Sequence, residues 1–242
     1  MLFSMLFLPD QAVTQASVIM ENLQTLSKVR NFRCTEKICE NMPNQKELSI
    51  YFDEEKRDID WSYYRLYNLN RLHKLESLSI HGGNHLLLEN LTFPTSLKEL
   101  CLDGCHIPWK KMMTLGSLLS NLEVLKLILN AFSGPVWNQV EGKFPRLKVL
   151  IIDKCDDLEW WEAEDIHFPN LESLILHYMD ELEEIPAIIG DIPTLHSIHV
   201  VYCNSSLVKS AIQILEEQHD LGNENLHLYI DYRSYQVGSS SS

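Results

Sequence analysis

Leu147-Lys-Val-Leu150-Ile-Ile152 is a phrase this chain repeats, with small changes, on both sides. Leu75-Glu-Ser-Leu78-Ser-Ile80, Leu97-Lys-Glu-Leu100-Cys-Leu102 and Leu122-Glu-Val-Leu125-Lys-Leu127 precede it. Leu171-Glu-Ser-Leu174-Ile-Leu176 and Leu195-His-Ser-Ile198-His-Val200 follow it. The first leucines stand at 75, 97, 122, 147, 171 and 195, so the steps are 22, 25, 25, 24 and 24 residues. A return of one apolar phrase at a nearly fixed step means one structural unit stacked on copies of itself. A single unit of that size cannot bury its own apolar side.

Each unit reads LxxLxL, and its last three residues predict a short strand whose alternate side chains face opposite ways. Leu100 and Leu102 then point inward, and Cys101 points out. The period is that of leucine-rich repeats. The expected fold class is α/β: a leucine-rich-repeat solenoid with a curved parallel sheet on its concave face and irregular turns and short helices on its convex face. Such a fold presents a long surface and points away from catalysis. A second periodic position supports the reading. Cys105, Cys155 and Cys203 follow their strands, with Asn130 in the equivalent place. There a small polar group is buried and bonds to turn backbone, where an unpaired group would be costly. Phe93-Pro94, Phe144-Pro145, Phe168-Pro169 and Ile192-Pro193 open four units. Each proline forces extended backbone before it and stops any upstream helix.

The pattern weakens upstream. Gln45 stands where a leucine is expected before Leu48-Ser-Ile50, and Leu23-Gln-Thr-Leu26 fits less well. Leu207, Val208, Ala211, Ile212 and Leu215 recur at helical spacing. The expected organisation is a truncated or disordered edge over 1–20, a repeat domain over 21–233 and a disordered tail over 234–242. The domain holds about eight repeats, with a helix near 207–218 and a last strand near 226–230. Met1 to Leu8 is apolar but lacks a basic flank and runs directly into Pro9-Asp10, so it reads as a piece of an earlier repeat and not as a signal peptide.

Composition excludes several classes. The 242 residues carry a net charge of −14, against the basic footprint that nucleic-acid binding needs. No run of about 18 apolar residues predicts a spanning helix. Three of the six cysteines fall on the repeat's buried position, which favours reduced thiols in a cytosolic protein over a disulfide framework. The triplets Asn90-Leu-Thr92 and Asn204-Ser-Ser206 are read as chance sequons.

Whole phrases carry a family resemblance. Glu21-Asn-Leu-Gln-Thr-Leu-Ser27, Val29-Arg-Asn-Phe-Arg-Cys34, the two units opened by Phe144-Pro145 and Phe168-Pro169, and the connection from Leu182 to Leu195 are similar to one group. That group is the leucine-rich-repeat region of plant intracellular coiled-coil nucleotide-binding immune receptors, nearest its late-blight-resistance members from nightshades. The resemblance spans residues 20 to 233. It implies a role in plant defence and the hypersensitive response, in the cytoplasm, with protein partners: a pathogen effector, a guarded host protein or the receptor's own nucleotide-binding domain. The coiled-coil and nucleotide-binding domains of such receptors are not found in this sequence. No GxxxxGK[ST] loop exists; Gly142-Lys143 is followed by Phe144, and Trp137 stands five residues before Gly142. A phosphate cradle needs that turn, so neither ATP nor another cofactor is expected.

The register sorts the outward side chains of the sheet into columns. Ser77, Glu99, Val124, Val149, Ser173 and Ser197 form the first. Ser79, Cys101, Lys126, Ile151, Ile175 and His199 form the second. His81, Asp103, Ile128, Asp153, His177 and Val201 form the third. Val124, Ile128, Val149, Ile151 and Ile175 make an apolar cluster, and an exposed apolar patch marks a contact site unless the chain covers it itself. Lys126, Asp153, His177 and His199 complete the candidate concave site. Lys126 either orients a partner or snorkels as an ordinary lysine. Trp160 and Trp161, set among carboxylates from Asp156 to Asp165, are a secondary candidate for a basic partner; the alternative packs one of them under the convex side. Trp109 and Trp137 read as core. Cys101, Cys105 and His106 do not converge in this register, so no metal site is expected. His177 and His199, on neighbouring strands, could form a weak metal site or a pH-sensitive contact, but are read first as ordinary surface histidines. No catalytic pairing stands out, and an enzyme is the least expected class. A substrate-recruiting leucine-rich-repeat adaptor of a ubiquitin ligase is the alternative function, which would need a helical segment upstream.

Overall fold

The computed structural model describes residues 19–53, 61–82, 86, 88–138, 144–164 and 167–232. The expected N-terminal edge (bar its last two residues), the tail from 234, the Gly142-Lys143 pair and residues 54–60 lie outside the described residues.

Nine strands form one sheet: β1 Thr25–Arg30, β2 Glu47–Tyr51, β3 Ser77–His81, β4 Glu99–Asp103, β5 Val124–Ile128, β6 Val149–Asp153, β7 Ser173–His177, β8 Ser197–Val201 and β9 His227–Asp231. Every pair is parallel, and every strand lies beside its neighbours in sequence. Parallel neighbours need a crossover between them, and the repeat step supplies one each time. The fold is therefore α/β and of repeat type, with few helices.

Three leucine rows make the core. Leu75, Leu97, Leu122, Leu147, Leu171 and Leu195 enter the strands, and all are buried. Leu78, Leu100, Leu125, Leu150, Leu174 and Ile198 pair across them in register, as do Ile80, Leu102, Leu127, Ile152, Leu176 and Val200. Each contributes about 1.5–3 kcal/mol of burial. Behind them the connecting arms stack too. Residues 107–108 pair with 132–133, and 136–138 with 160–162.

The turns after β3 to β8 follow one pattern. In each, the first N–H donates to the carbonyl of the last residue of the next strand: Gly82 to Asp103, Gly104 to Ile128, Leu129 to Asp153, Lys154 to His177, Tyr178 to Val201 and Tyr202 to Asp231, at 2.7–3.0 Å. All six donors have left-handed backbone, with φ of 72°, 63°, 49°, 55°, 51° and 55° in that order.

The cysteine position behaves as expected at Cys105, whose thiol reaches the carbonyls of Ile80, Gly82 and Asp103. Cys155 is buried, and Cys203 is half-buried and bonds to Leu176 and Val201 carbonyls. Asn130 departs from the expectation. A second left-handed residue, Asn130 itself at φ 55°, follows Leu129. The turn then swings its amide outward onto Asp156, and Ala131 takes the buried place.

The two weak upstream units still form β1 and β2. Gln45 sits fully buried in the leucine position, where its Nε2 donates to the carbonyls of Gln24 and Glu47. Its Oε1 has no hydrogen-bond partner. β1 carries an irregularity between Leu26 and Val29, where Lys28 has φ 58°.

The C-terminal helix runs Ser205–Asp220, longer than its apolar spacing predicted, and leads to β9. Asn204 caps it, accepting from the N–H of Leu207 at 2.8 Å. The Nδ2 of Asn204 donates to the carbonyls of Asp180 and Leu182 at 2.9 and 2.8 Å, so this sequon asparagine is a structural bracket. The helix packs against the turn at Gly190. A β-carbon there would meet Ile214 Cγ2 at 2.7 Å.

Candidate interaction surface

The three predicted columns exist as read. Ser79, Cys101, Lys126, Ile151, Ile175 and His199 are in register across β3 to β8, and so are the other two rows. Alternation sends these side chains to the face opposite the leucine rows. Val124 lies beside Val149, and Ile151 lies between Lys126 and Ile175. Ile128 lies beside Asp153. All five apolar residues are half-buried. The patch is therefore continuous over β5, β6 and β7.

Its polar surroundings differ from the expectation at two places. Cys101 stands on the outward register but is only 7 % exposed. Lys126, its neighbour in the column, has Nζ 2.6 Å from Glu99 Oε1. Burial, with help from Asp103, pushes the Cys101 thiol up to about 11. Lys126 is thus ion-paired within its own face. Both partners are about a third exposed, so the pair adds little stability.

The third column holds two histidine–carboxylate pairs. His81 Nδ1 is 2.8 Å from Asp103 Oδ2, and the His81 ring stacks on Tyr51 at 4.1 Å. His177 Nδ1 is 3.5 Å from Asp153 Oδ2. His199 stacks on Tyr229 at 4.4 Å. Its ring titrates below the usual histidine value, first because burial disfavours the charged form and then because His177 repels it. Two of the candidate histidines therefore have different partners and do not share one.

The tryptophan pair is divided. Trp161 is 3 % exposed and stacks on Trp137, while Trp160 is 45 % exposed. The reason is the short strand Trp160–Glu162, along which neighbouring side chains face opposite ways. Trp161 is therefore withdrawn as a contact residue. Trp160 remains, beside the equally exposed Val136 on the paired strand.

A groove of about 640 Å³ at the ends of β1 to β5 was not foreseen. Arg30, Asp53, His81, Asp103, His106 and Leu129 line it. Asp53 is held by Arg30 at 3.5 Å and by the Asn31 amide at 2.6 Å. The columns stop at the last strand residue, so a register argument does not reach these turns. The glycines at 82 and 104 were the available signal.

No family model matches the chain. Against curated proteins, it is 32% identical over 235 residues to late blight resistance protein R1-A of Solanum demissum, covering 93% of this chain and 18% of that protein. It is 33% identical over 227 residues to the late blight resistance protein homolog R1B-23 of the same plant, covering 91% of this chain and 17% of that protein. A homolog R1B-16 is 40% identical over 137 residues, covering 56% of this chain. The chain thus spans less than a fifth of the length of the curated relatives it matches. The family resemblance of the repeat phrases is shown: over nine tenths of its length the chain is homologous to one region of the late blight resistance proteins.

Proposed function

We propose that this chain is the protein-recognition segment of a plant disease-resistance receptor, acting in the cytoplasm. On this reading it is a leucine-rich-repeat solenoid whose open sheet face is concave. It binds a pathogen effector, a guarded host protein or the receptor's own nucleotide-binding domain, and it catalyses nothing and holds no cofactor. The observation that carries the reading is the continuous apolar patch of Val124, Val149, Ile151, Ile175 and Ile128 on the open face, in a chain related to late blight resistance proteins. Recognition then works through a difference in contact energy between a bound and a free state.

The test is a pull-down of the chain with the coiled-coil and nucleotide-binding portion of a related resistance protein. Ile151→Glu with Ile175→Glu is run beside it. Both side chains stand away from the leucine rows, so circular dichroism of the double variant stays native. Binding lost only in that variant supports an intramolecular contact through the patch. Capture that is unaffected by the two substitutions removes the patch as the contact.

A further inference from the structure

The left-handed turn residues differ in kind along the sheet. Gly82 and Gly104 occupy the position after β3 and β4, where a glycine adopts positive φ without strain. After β5, β6, β7 and β8 the same position holds Leu129, Lys154, Tyr178 and Tyr202. A β-carbon there costs about 1–2 kcal/mol per residue. Burial offsets little of that cost. Leu129 is 45 % exposed and Tyr178 is 42 % exposed, Lys154 is exposed and Tyr202 is half-buried. Side chains held in unfavourable backbone and left at the surface are a reason to look for a contact there. The two tyrosines also organise each other. Their rings stack with centroids 5.2 Å apart and planes 21° from parallel.

The surroundings select the partner. Asp231 lies beside the Tyr202 hydroxyl and raises its titration point, while its carbonyl holds the Tyr202 N–H at 2.8 Å. Asp180 and Glu181 follow the Tyr178 turn and are exposed, and Asp153 ends the neighbouring strand. Among the described residues of this row Lys154 is the one cation, one turn away. The whole chain is acidic, at −14. A planar guanidinium stacks flat on a tyrosine face and forks onto a carboxylate at once, whereas a lysine ammonium is a compact, strongly hydrated point charge with neither the flat face nor the fork. We propose that the Tyr178–Tyr202 ledge with Asp231 docks an arginine-bearing segment of a protein partner. This rests on the chain's being a protein-recognition segment, but it uses a different surface from the apolar patch.

The test uses the full chain and two synthetic probes of equal charge, an octa-arginine and an octa-lysine peptide, followed by fluorescence anisotropy at physiological salt. The arginine peptide binds about tenfold tighter than the lysine peptide, a gap of one stacked guanidinium. Tyr178→Gly with Tyr202→Gly removes that preference and melts no lower than the parent, since glycine suits both backbones. Asp231→Asn weakens the arginine peptide by several-fold. The double isoleucine variant binds the arginine peptide no more weakly than the parent, which separates this surface from the patch. Undiminished arginine preference in the glycine variant would overturn the proposal, because arginine would then be read elsewhere on the chain; equal binding of the two peptides by the parent would overturn it as well, because the attraction would then be net charge alone. A large drop in the glycine variant's melting temperature would overturn it too, by making the tyrosines structural. So would loss of peptide binding in the isoleucine variant.

Discussion

The indole rings of Trp137 and Trp161 lie face to face, with centroids 4.8 Å apart and planes 3° from parallel. Trp109 continues the stack at 4.8 Å and 15° on the other side of Trp137. These three come from successive units, so the arms behind the sheet keep the same register as the strands in front. Trp137 is fully buried at the centre. Trp137→Ala removes both stacking contacts and leaves a cavity, at a cost of about 3–5 kcal/mol in urea unfolding. Trp160→Ala, at an exposed site in the same ladder, changes stability by less than about 0.5 kcal/mol.

Gln45 is the one polar residue in the buried leucine row of the described units, and its Oε1 is unpartnered. Gln45→Leu restores the repeat's own side chain and removes a buried amide. The Gln24 carbonyl that it serves still accepts from the N–H groups of Lys46 and Glu47. The variant gains about 1 kcal/mol, read as a higher urea midpoint with an unchanged slope.

Two substitutions at one repeat position have opposite signs. Lys154→Gly relieves a left-handed β-carbon on an exposed side chain and stabilises by up to about 1 kcal/mol, after the extra freedom of glycine in the unfolded chain is subtracted. Gly104→Ala has room for its methyl group, with the nearest atom 3.9 Å away, so its loss of about 1 kcal/mol is purely conformational. Thermal melts of the two variants beside the parent check both signs.

Asn204→Ala removes a helix cap and two donors to turn carbonyls in one step. The cap accounts for about 1 kcal/mol and each abandoned carbonyl for about as much again. The expected loss is about 2–3 kcal/mol, and amide hydrogen exchange in the first turn of the helix speeds up. Unchanged exchange there would mean that the cap is not made in solution.

His199 titrates lower in the folded chain than the ordinary value of 6.5. The folded state therefore binds this proton more weakly than the unfolded state does. The stabilising contribution is complete above pH 6.5 and is lost as pH falls from there through the lowered folded value. His199→Phe keeps a flat ring against Tyr229 and removes the titration. Its melting temperature falls less than the parent's between about pH 7 and pH 5.

The strands and the columns were legible because apolar residues on a period of two admit one register only: shifting Leu125 and Leu127 by one residue would expose both. The position of Ile151 between Lys126 and Ile175 follows from that alone. The turns were less legible. Nothing in the sequence says that Leu129, Lys154, Tyr178 and Tyr202 adopt the backbone that Gly82 and Gly104 announce. There the backbone is left-handed against the residue's own preference. Asn130 was misplaced for the same reason, since a second left-handed residue moved the buried position to Ala131. Cys101 was read correctly for direction and wrongly for exposure, since it stands on the outward register and is nonetheless buried. The patch and the ledge follow from register and backbone.

The order of the sheet has a consequence for how such a surface changes over time. Each strand bonds only to the strand before it and the strand after it in the chain. Duplication or loss of one whole unit therefore lengthens or shortens the row without asking any distant residue to adjust. Outward residues such as Ile151 can be exchanged while the leucines beside them stay, so the outward face can drift under selection at a rate of its own. The inward face acts as the fixed type-bed, and the outward columns are the letters that can be reset.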